Sequence, residues 1–472
     1  MADAINCKVL VIGGGPGGYV AAIRAGQLGL DTVLVEADRV GGTCLIRGCI
    51  PSKAIIHVAE EFETMRHAGG QTGGKGGRHG ITLASAPKLD FAETVKWKET
   101  VVDKLNSGVS TLLKRAKVKV IKGWAEFSDA KTCTVGETTI TAEHVILANG
   151  SLAVELPFLK FGGNVISSTE ALSLSELPKK LVVVGAGYIG LELGIAFRKL
   201  GSEVTVVEAM DRILPLYDAA LTAPVAKWLE KNGVSLHLGA KAKGLSQDGK
   251  SLVVETKDGK TEEFAADKIL VTVGRKPNTQ GWGLEKMGVD MAKETGNRFV
   301  KVDDQCRTAM KDVWAVGDLV GEPMLEHKAA AQGDMVAEII AGHRKHFDHP
   351  PIPAVCFTEP EIVSAGLLPH EVPEGTEVIT AMFPFAANGR ALSMDAGDNG
   401  GFVRVVARKD DHRILGIQAV GAHVSELSAE FSLALEMGAL LEDIAGTIHV
   451  HPTLSEAFHE SALRALGHAI HI

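Results

Sequence analysis

The sequence predicts an α/β protein with two parallel-sheet modules and a smaller carboxy-terminal α+β domain. A strand–glycine loop–helix–strand pattern occurs twice, with its copies 172 residues apart, and such a pattern is typical of a parallel sheet. The proline-rich segment 349–353 marks a linker, and about 120 residues follow it. At roughly 150 residues per domain, the chain of 472 residues has room for about three domains.

The first copy of the pattern begins near the amino terminus. Residues 8–12 are apolar and β-branched, as expected of a short buried strand. They lead into the glycine loop 13–18 and a helical stretch from Tyr19 to Leu28. A second strand, 32–35, ends at Glu36, which follows the first glycine by 23 residues.

The second copy has strands 181–184 and 205–207, and its acid follows its first glycine by the same 23 residues. In each loop the first glycine allows a tight turn, the second lets the backbone approach a pyrophosphate, and the third packs the helix against the strand. Free N–H groups at the helix start bind phosphate, and the acid accepts hydrogen bonds from ribose hydroxyls. Two Rossmann-like dinucleotide-binding domains are therefore predicted. The nucleotide-binding residues of the loops are Gly13, Gly15, Gly18 and Glu36 in the first copy and Gly185, Gly187, Tyr188, Ile189, Gly190 and Glu208 in the second.

The second acid also indicates which nicotinamide cofactor binds. Glu208 would repel a 2′-phosphate, and the Ala209-Met210 that follows offers no cation to receive one. The sequence therefore favours NAD over NADP.

A pair of cysteines directly after the first copy carries the candidate chemistry. Cys44 and Cys49 stand five positions apart, with a glycine before the second, and could close a small disulfide on a distorted helical turn. A dithiol beside a nucleotide module is a candidate redox relay, although two buried thiols are the alternative. No metal site is predicted, because neither a CxxC pair nor a histidine cluster supplies four zinc ligands.

Charge and composition exclude several classes of protein and partner. With 45% hydrophobic and 23% charged residues, the chain has a globular balance. Its net charge of −9 includes no long run of either sign, so neither nucleic acid nor a membrane is an expected partner. No signal peptide is evident, and six cysteines do not make a secreted disulfide framework. We expect a reducing compartment, the cytoplasm.

Several further motifs, in order along the whole chain, resemble the flavin disulfide reductase family, the class I pyridine nucleotide-disulfide oxidoreductases. They include the cysteine segment 41–53, Thr272-Val273-Gly274-Arg275, Trp314-Ala315-Val316-Gly317-Asp318 and His451-Pro452-Thr453-Leu454-Ser455-Glu456. The resemblance is strongest to the members that oxidise dihydrolipoyl groups of 2-oxo acid dehydrogenase or glycine-cleavage complexes with NAD⁺. A glutathione or mercuric type of reductase, and a non-catalytic flavoprotein binding subunit, are the alternatives.

The resemblance implies one non-covalent FAD per subunit, in the first module, and NAD in the second. It implies that Glu36 holds the adenosine ribose, that Asp318 holds the ribityl and phosphate side, and that Lys53 lies near the reactive flavin nitrogen. Tyr188 would gate the flavin face, and Glu192 would pair with Lys53. The remaining FAD-side residues are Thr43, Ala125, Asn149, Gly150, Ser151, Met324, Leu325, Glu326 and His327, and the remaining NAD-side residues are Ala242 and Gly274.

The resemblance also implies that Cys44 is the substrate-side cysteine and Cys49 the flavin-side one. His451 is the expected base and Glu456 the acid that orients it, with His449 as the local competitor. The base would reach the active site of the partner subunit, so a homodimer is expected, with a lipoyl-bearing acyltransferase subunit or a lipoyl carrier protein as partner. The predicted domains are 1–150 (FAD), 151–278 (NAD), 279–350 (completing the FAD domain) and 351–472 (dimerisation).

Three features depart from the family pattern. Ile46-Arg47 replaces the usual Asn-Val between the cysteines, and an inward-pointing Arg47 would favour a thiolate. Asn149 replaces the usual threonine before Gly150. Residues 69–80 form an insertion with seven glycines in twelve positions, which fits a solvated surface excursion.

Overall fold

The computed structural model describes residues 4–68, 78–348 and 351–472. The insertion predicted at 69–80 therefore lies outside the described residues except for the turn Arg78–Gly80, and so do the first two residues of the predicted linker. The described residues form two compact units. The first is drawn from Met1–Leu156, Ser167–Glu176 and Gly274–Asp348, and the second from Pro157–Ile166, Leu177–Val273 and His349–Ile472.

The first unit is built on a seven-stranded sheet that carries the first copy of the glycine pattern. Its parallel part runs in the order Lys119–Lys122, Thr32–Glu36, Ala4–Ile12, Thr138–Leu147 and Val313–Ala315. Two antiparallel strands, Thr132–Val135 and Ala125–Phe127, extend the sheet beyond Thr138–Leu147. A separate two-stranded ribbon pairs Ser151–Ala153 with Arg275–Pro277.

Helices cover the sheet of the first unit. They are Pro16–Gln27, Cys49–Ala68, Phe91–Arg115, Ser168–Ala171 and Glu326–Ile340, with short 3₁₀ turns at Leu284–Lys286, Lys293–Thr295 and Gly317–Leu319. The strand residues Val9 and Leu34 and the helix residues Ala21 and Val336 share one fully buried core. Asp90 caps the longest helix, because its side chain accepts a hydrogen bond from the Glu93 backbone N–H.

The second unit contains a parallel five-stranded sheet that carries the second copy. Its order is Ser235–Leu238, Glu203–Glu208, Lys180–Val184, Lys268–Val271 and Val165–Ile166. The helices Tyr188–Leu200 and Ala219–Lys231 belong to it. An antiparallel sheet of three strands, Lys241–Leu245, Ser251–Glu255 and Thr261–Ala265, lies in the same unit.

The carboxy-terminal part of the second unit is an antiparallel sheet with helices. The strand order is Ala354–Cys356, Glu361–Gly366, Ile414–Gly421, Phe402–Arg408 and Val378–Pro384. The helices are Gly389–Ser393, Ser428–Glu436, Leu441–Gly446 and Glu456–Ala465, with 3₁₀ turns at Phe385–Ala387, Gly397–Asn399 and Val424–Leu427. Phe431 and Phe458 meet edge to face in the core between helices and sheet, with their ring centroids 5.1 Å apart.

The predicted fold class is confirmed, and the differences concern the ends of elements. The first strand begins at Ala4 rather than Lys8, because Ala4–Ile12 pairs with Thr138–Leu147 along its whole length. The first helix begins at Pro16, whose ring suits the first helical turn, and not at Tyr19.

Candidate active site

The two glycine loops have the same geometry. Gly13 and Gly185 have φ values of 98° and 101°, a left-handed region that favours glycine. A methyl group on the third glycine would lie 1.8 Å from the Gly13 carbonyl oxygen in the first loop and 2.2 Å from the Gly185 carbonyl oxygen in the second. The third glycine, Gly18 or Gly190, is therefore required by the packing of the protein itself.

The second glycine of each loop has no such packing role. A Cβ on Gly15 would meet only the Gly42 Cα, at 3.8 Å, and a Cβ on Gly187 would meet nothing within 4 Å. Both residues have extended backbone that any residue adopts. Close approach of a ligand to the backbone is the remaining physical reason for glycine at these positions.

Each acid is held by its own loop. Glu36 accepts hydrogen bonds from the Gly14 N–H at 2.6 Å and the Asp38 N–H at 2.7 Å. Glu208 accepts them from the Ala186 N–H at 2.6 Å and the Met210 N–H at 2.8 Å. These bonds orient each carboxylate toward the glycine loop, where a ribose is expected.

A cavity of about 110 Å³ lies in the first module, where the adenosine is predicted to bind. The cavity brings together four predicted residues, Gly13, Glu36, Ala125 and Asn149, and adds the aromatic side chains Trp124 and Trp282. The Asn149 side-chain oxygen is buried and makes no hydrogen bond to any of the described residues. A buried acceptor that has no partner among the described residues, in a cavity lined by Gly13 and Glu36, fits a bound nucleotide.

The predicted ribityl and phosphate side has a connected polar network. Ser151 donates its hydroxyl to Asp318. Arg275 donates to the Ser151 hydroxyl and to its carbonyl oxygen, each at 2.7 Å. Ser151 and Asp318 are among the predicted FAD-side residues. Arg275 belongs to the motif Thr272-Val273-Gly274-Arg275, but only the structure shows its role. These residues fit FAD.

The remaining FAD-side residues lie on three further elements of the first unit. Thr43 opens the turn Thr43–Arg47, and Lys53 lies in the second turn of the helix Cys49–Ala68. Met324 to His327 span the start of the helix Glu326–Ile340. Gly150 has a φ of 68° directly after Asn149.

The cysteine turn, residues 43–49, is a π-helical turn, Thr43–Arg47, followed by an α-helix that begins at Cys49. The sequence had predicted a distorted helical turn here. The side chains of Cys44 and Cys49 lie within hydrogen-bonding reach of each other, as the predicted redox pair requires. A hydrogen bond to Cys49, burial and the charge of Glu326 raise the pKa of Cys44, while Lys53 opposes them. A thiolate at Cys44 thus depends on a neighbouring cation.

A substrate-side Cys44 is expected to be the more exposed of the two cysteines, and the single chain shows the opposite. In the single chain Cys49 is exposed and Cys44 is half-buried. The predicted roles refer to which sulfur faces the flavin, so exposure in one chain does not rank them. Both roles stay predictions.

Ile46 and Arg47 point away from the cysteine sulfurs. Ile46 packs against the hydrophobic core of the first unit, and the Arg47 guanidinium forms an ion pair with Asp38. An inward-pointing Arg47, which would have favoured a thiolate, is therefore not what the structure contains. The reason is local, because Asp38 follows the first fingerprint and supplies the nearer charge.

The second unit places Glu192 and Tyr188 on the helix that follows the second glycine loop. Glu192 is buried, and its carboxylate accepts a hydrogen bond from the Phe357 N–H at 3.0 Å. Tyr188 is exposed at the first position of the helix. Ala242 lies in the strand Lys241–Leu245. Gly274 comes after the strand Lys268–Val271, at the start of the last segment of the first unit. Lys53 belongs to the other unit, so the pairing of Glu192 with Lys53 stays a prediction.

His451 and Glu456 form a hydrogen-bonded dyad. The His451 Nδ1 lies 2.9 Å from Glu456 Oε1, and Glu456 Oε2 accepts a hydrogen bond from the Thr453 N–H at 2.8 Å. The bonds to Thr453 and His451 lower the pKa of Glu456 against the effect of burial. The His451 side chain is 79% exposed in the single chain, so the ring is available to a substrate or a second subunit.

His449, the competitor for the role of base, is bound at both ring nitrogens. Its Nδ1 lies 2.9 Å from the Thr447 carbonyl oxygen, and its Nε2 lies 2.9 Å from Glu430 Oε1. A ring without a free nitrogen is a poor general base, so the geometry favours His451. Sequence reasoning missed Glu430, because it lies 19 residues before His449 and in no motif.

The chain belongs to the pyridine nucleotide-disulphide oxidoreductase family. The model of this family matches residues 7–333, and the model of its dimerisation domain matches residues 352–462. The dimerisation domain supports formation of a homodimer.

Similar proteins carry more specific names. A dihydrolipoyl dehydrogenase of Pseudomonas aeruginosa is 58% identical over the full length of both chains. The dihydrolipoyl dehydrogenase of Geobacillus stearothermophilus is 46% identical over 99% of this chain and 98% of that protein. Among solved structures, LpdA of Mycobacterium tuberculosis is 27% identical, covers 97% and 99% of the two chains, and has a TM-score of 0.85. The HOCl-induced flavoprotein disulfide reductase RclA of Escherichia coli is 25% identical over 96% and 99%, with a TM-score of 0.83.

The described ranges contain neither a candidate metal site nor a helix that could span a membrane. No three histidine, cysteine or acidic side chains there come together as a metal site. Within the same ranges, every helix is too short or too polar to cross a membrane.

Proposed function

We propose that the chain oxidises protein-bound dihydrolipoyl groups and passes the electrons through FAD to NAD⁺. The observation that carries the proposal is the adjacent pair Cys44 and Cys49, which follows the first nucleotide module, whose glycine loop has space for a ligand. Dihydrolipoyl dehydrogenases that are 43–58% identical over nearly the whole chain support the same substrate.

In the proposed cycle a substrate thiolate attacks Cys44 of the oxidised pair. The Cys44–Cys49 bond breaks, and Cys49 leaves as a thiolate while Cys44 forms a mixed disulfide with the substrate. The second substrate sulfur then closes the lipoyl ring by displacing Cys44, and two electrons remain on the cysteine pair. When bound, FAD would accept this electron pair, and NAD⁺ would take it on as hydride.

His451 takes up one of the two protons of the substrate dithiol; the other has already left, because the first sulfur enters the cycle as a thiolate. Its imidazole takes the proton from the second substrate thiol, since the thiolate is the nucleophile. Glu456 fixes the ring tautomer through Nδ1 and stabilises the imidazolium that forms. Lys53 lowers the pKa of Cys44, which favours release of that thiolate.

The cofactor positions follow from the two modules. FAD would be held by the first glycine loop, Glu36 and the Arg275–Ser151–Asp318 network, with its adenine in the cavity beside Asn149. NAD would be held by the second loop and Glu208, where no cation follows to receive a 2′-phosphate. On this basis we assign 1–150 and 279–350 to FAD binding, 151–278 to NAD binding and 351–472 to dimerisation.

We further propose that His451 serves the cysteine pair of the other subunit. Its loop neighbours Ile448 and Val450 are large apolar side chains that are 96% and 71% exposed in the single chain, and Met437 of the same unit is 74% exposed. An apolar patch of this kind is typical of a subunit interface. The physiological partner would be a lipoyl-bearing acyltransferase subunit or lipoyl carrier protein, in the cytoplasm.

The test is anaerobic oxidation of dihydrolipoamide with NAD⁺ and NADP⁺ in parallel. The parent enzyme should turn over with NAD⁺, and His451→Ala should lower kcat by about 10²–10⁴-fold, the range for loss of a general base. His412→Ala is the matched control, because His412 is paired with Glu442 at the surface of the same unit. Absence of turnover in a flavin-loaded parent that NADH reduces would sink the lipoyl assignment and favour another disulfide substrate.

A further inference from the structure

The histidine loop, residues 446–452, has a single buried side chain. Across these seven residues every side chain is exposed except that of His449, which is 6% exposed. The loop carries His451 toward solvent while His449, two residues earlier, points into the unit. The position of the proposed base therefore depends on what holds His449.

The hydrogen-bond partners of His449 determine its protonation state. The Thr447 carbonyl oxygen faces Nδ1, and the Glu430 carboxylate faces Nε2, each at 2.9 Å. Both partners only accept hydrogen bonds, so each ring nitrogen must donate one. An imidazole can donate from both nitrogens only as an imidazolium.

We propose that His449 is held as an imidazolium by Glu430 and is the positioning residue that presents His451. The inference rests on the proposed function, because it concerns how the base of that reaction is placed. A neutral His449 would set a ring-nitrogen lone pair either against the Glu430 carboxylate or against the Thr447 carbonyl oxygen, depending on the tautomer. That repulsion would detach the only buried side chain of the histidine loop.

Every charged group that faces His449 is consistent with this state. Glu430, on the helix Ser428–Glu436, and the Thr447 carbonyl raise the pKa of His449, and so does the charge of Glu456, while burial lowers it. The His459 ring, on the helix Glu456–Ala465, lies beside it with centroids 5.1 Å apart, and its Nε2 donates a hydrogen bond to the Ala445 carbonyl oxygen at 3.1 Å. In return, the charge of His449 lowers the pKa of Glu456 and so helps to keep the orienting acid ionised.

The raised pKa gives the pair a defined pH dependence. Because the folded-state pKa lies above that of an ordinary histidine, about 6.5, the stabilisation is fully present below that pH. It is lost as the pH rises through the folded-state value. The alkaline decline of kcat should therefore include the release of the histidine loop.

The first experiment measures the protonation state directly, on the full-length flavin-loaded dimer. Histidine labelled with ¹³C at Cε1 in a deuterated chain is titrated by NMR, with resonances assigned by single-histidine variants. His449 should keep its charge to a higher pH than an ordinary histidine, and Glu430→Gln should lower its pKa. Titration of His449 at or below about 6.5 in the parent would overturn the proposal.

The second experiment separates charge from hydrogen bonding by comparing pH profiles of kcat. In Glu430→Gln the amide can donate to a neutral His449, so the alkaline decline attributed to the histidine loop should disappear while the acid limb stays. His449→Asn, which cannot span both partners, should lower kcat by about tenfold at all pH values with little change in the KM for dihydrolipoamide.

Glu442→Gln, in the exposed pair with His412, is the matched control and should leave both limbs unchanged. A uniform fall of kcat in Glu430→Gln with both limbs preserved would show a structural role only and would overturn the proposal. Failure of the parent to oxidise dihydrolipoamide would instead remove the proposed function, and the NMR titration of His449 would still stand by itself.

Discussion

The two copies of the glycine pattern differ in how many glycines they contain. The first loop, 13–18, has glycine at five of six positions, whereas the second, 185–190, has it at three. The three shared positions have the same geometry in both copies, from the φ values of Gly13 and Gly185 to the carbonyl contact of Gly18 and Gly190.

One extra glycine of the first copy, Gly17, serves the packing of the first unit. A Cβ on Gly17, the position of Ile189 in the second copy, would lie 3.2 Å from the Ala329 carbonyl oxygen. A Cβ on Gly333 would lie 2.2 Å from the Gly17 carbonyl oxygen. Two helices thus approach each other so closely that side chains are excluded between them. The comparison teaches that glycine in such a loop has two separable causes, the ligand and the neighbouring helix.

The largest expected effect is that of alanine at the third glycine. In Gly18→Ala the new methyl would overlap a rigid backbone carbonyl at 1.8 Å, so we expect a loss of about 2–3 kcal/mol in the free energy of unfolding and a low FAD content. Gly190→Ala should retain FAD and lose NAD binding. Urea unfolding measures the stability, flavin absorbance measures the FAD content, and NAD⁺ titration by fluorescence measures NAD binding. A Gly18→Ala protein with full flavin content and the stability of the parent would contradict the packing argument.

Glutamine at the two acids should have the next largest effect. Each carboxylate accepts two backbone N–H groups, and an amide nitrogen would place a donor against one of them. Glu208 is 9% exposed whereas Glu36 is half-buried, so Glu208→Gln should lose about 1–2 kcal/mol of stability and Glu36→Gln less. Thermal unfolding and NAD⁺ titration by fluorescence test this. Equal losses at both positions would contradict the difference in burial.

Alanine at the second glycine should separate ligand from protein. The new methyl group of Gly15→Ala or Gly187→Ala would meet no close protein atom. The free energy of unfolding should therefore change by less than about 1 kcal/mol. Nucleotide affinity should nevertheless fall, as a raised KM for NAD⁺ in Gly187→Ala and faster FAD release in Gly15→Ala. An unchanged KM for NAD⁺ would argue against close approach at this loop.

The smallest effect is expected for Gly14→Ala. Its counterpart in the second copy, Ala186, already carries a methyl group beside the equivalent acid. In the first copy the methyl would touch the Glu36 side chain at 3.1–3.2 Å, so a loss below about 1 kcal/mol with FAD retained is expected. Calorimetry and flavin content provide the measurement, with Ala186→Gly as the reciprocal control; loss of flavin in Gly14→Ala would show that the two loops are not equivalent.

Much of the fold and of the candidate site could be read from local pattern. Strand, loop, helix and acid recur at fixed spacing, and the dyad His451–Glu456 lies within six consecutive residues, so its geometry is local. The direction of Arg47 could not be predicted in this way, because it depends on Asp38 nine residues earlier.

Long-range partners were equally inaccessible. Arg275 meets Ser151 across 124 residues, and neither residue type alone signals the bond. The same holds for Phe357, whose backbone N–H binds Glu192 across 165 residues.

The sequence by itself predicted the two nucleotide modules, the cysteine pair and the family, because each is recognised from residues that are neighbours along the chain. Only the tertiary structure decided which glycines serve packing, where Arg47 points and why His449 must be charged. Those properties depend on atoms that folding brings together from distant segments, because the energy of a hydrogen bond or a steric overlap depends on the distance and orientation of the two groups in the folded chain.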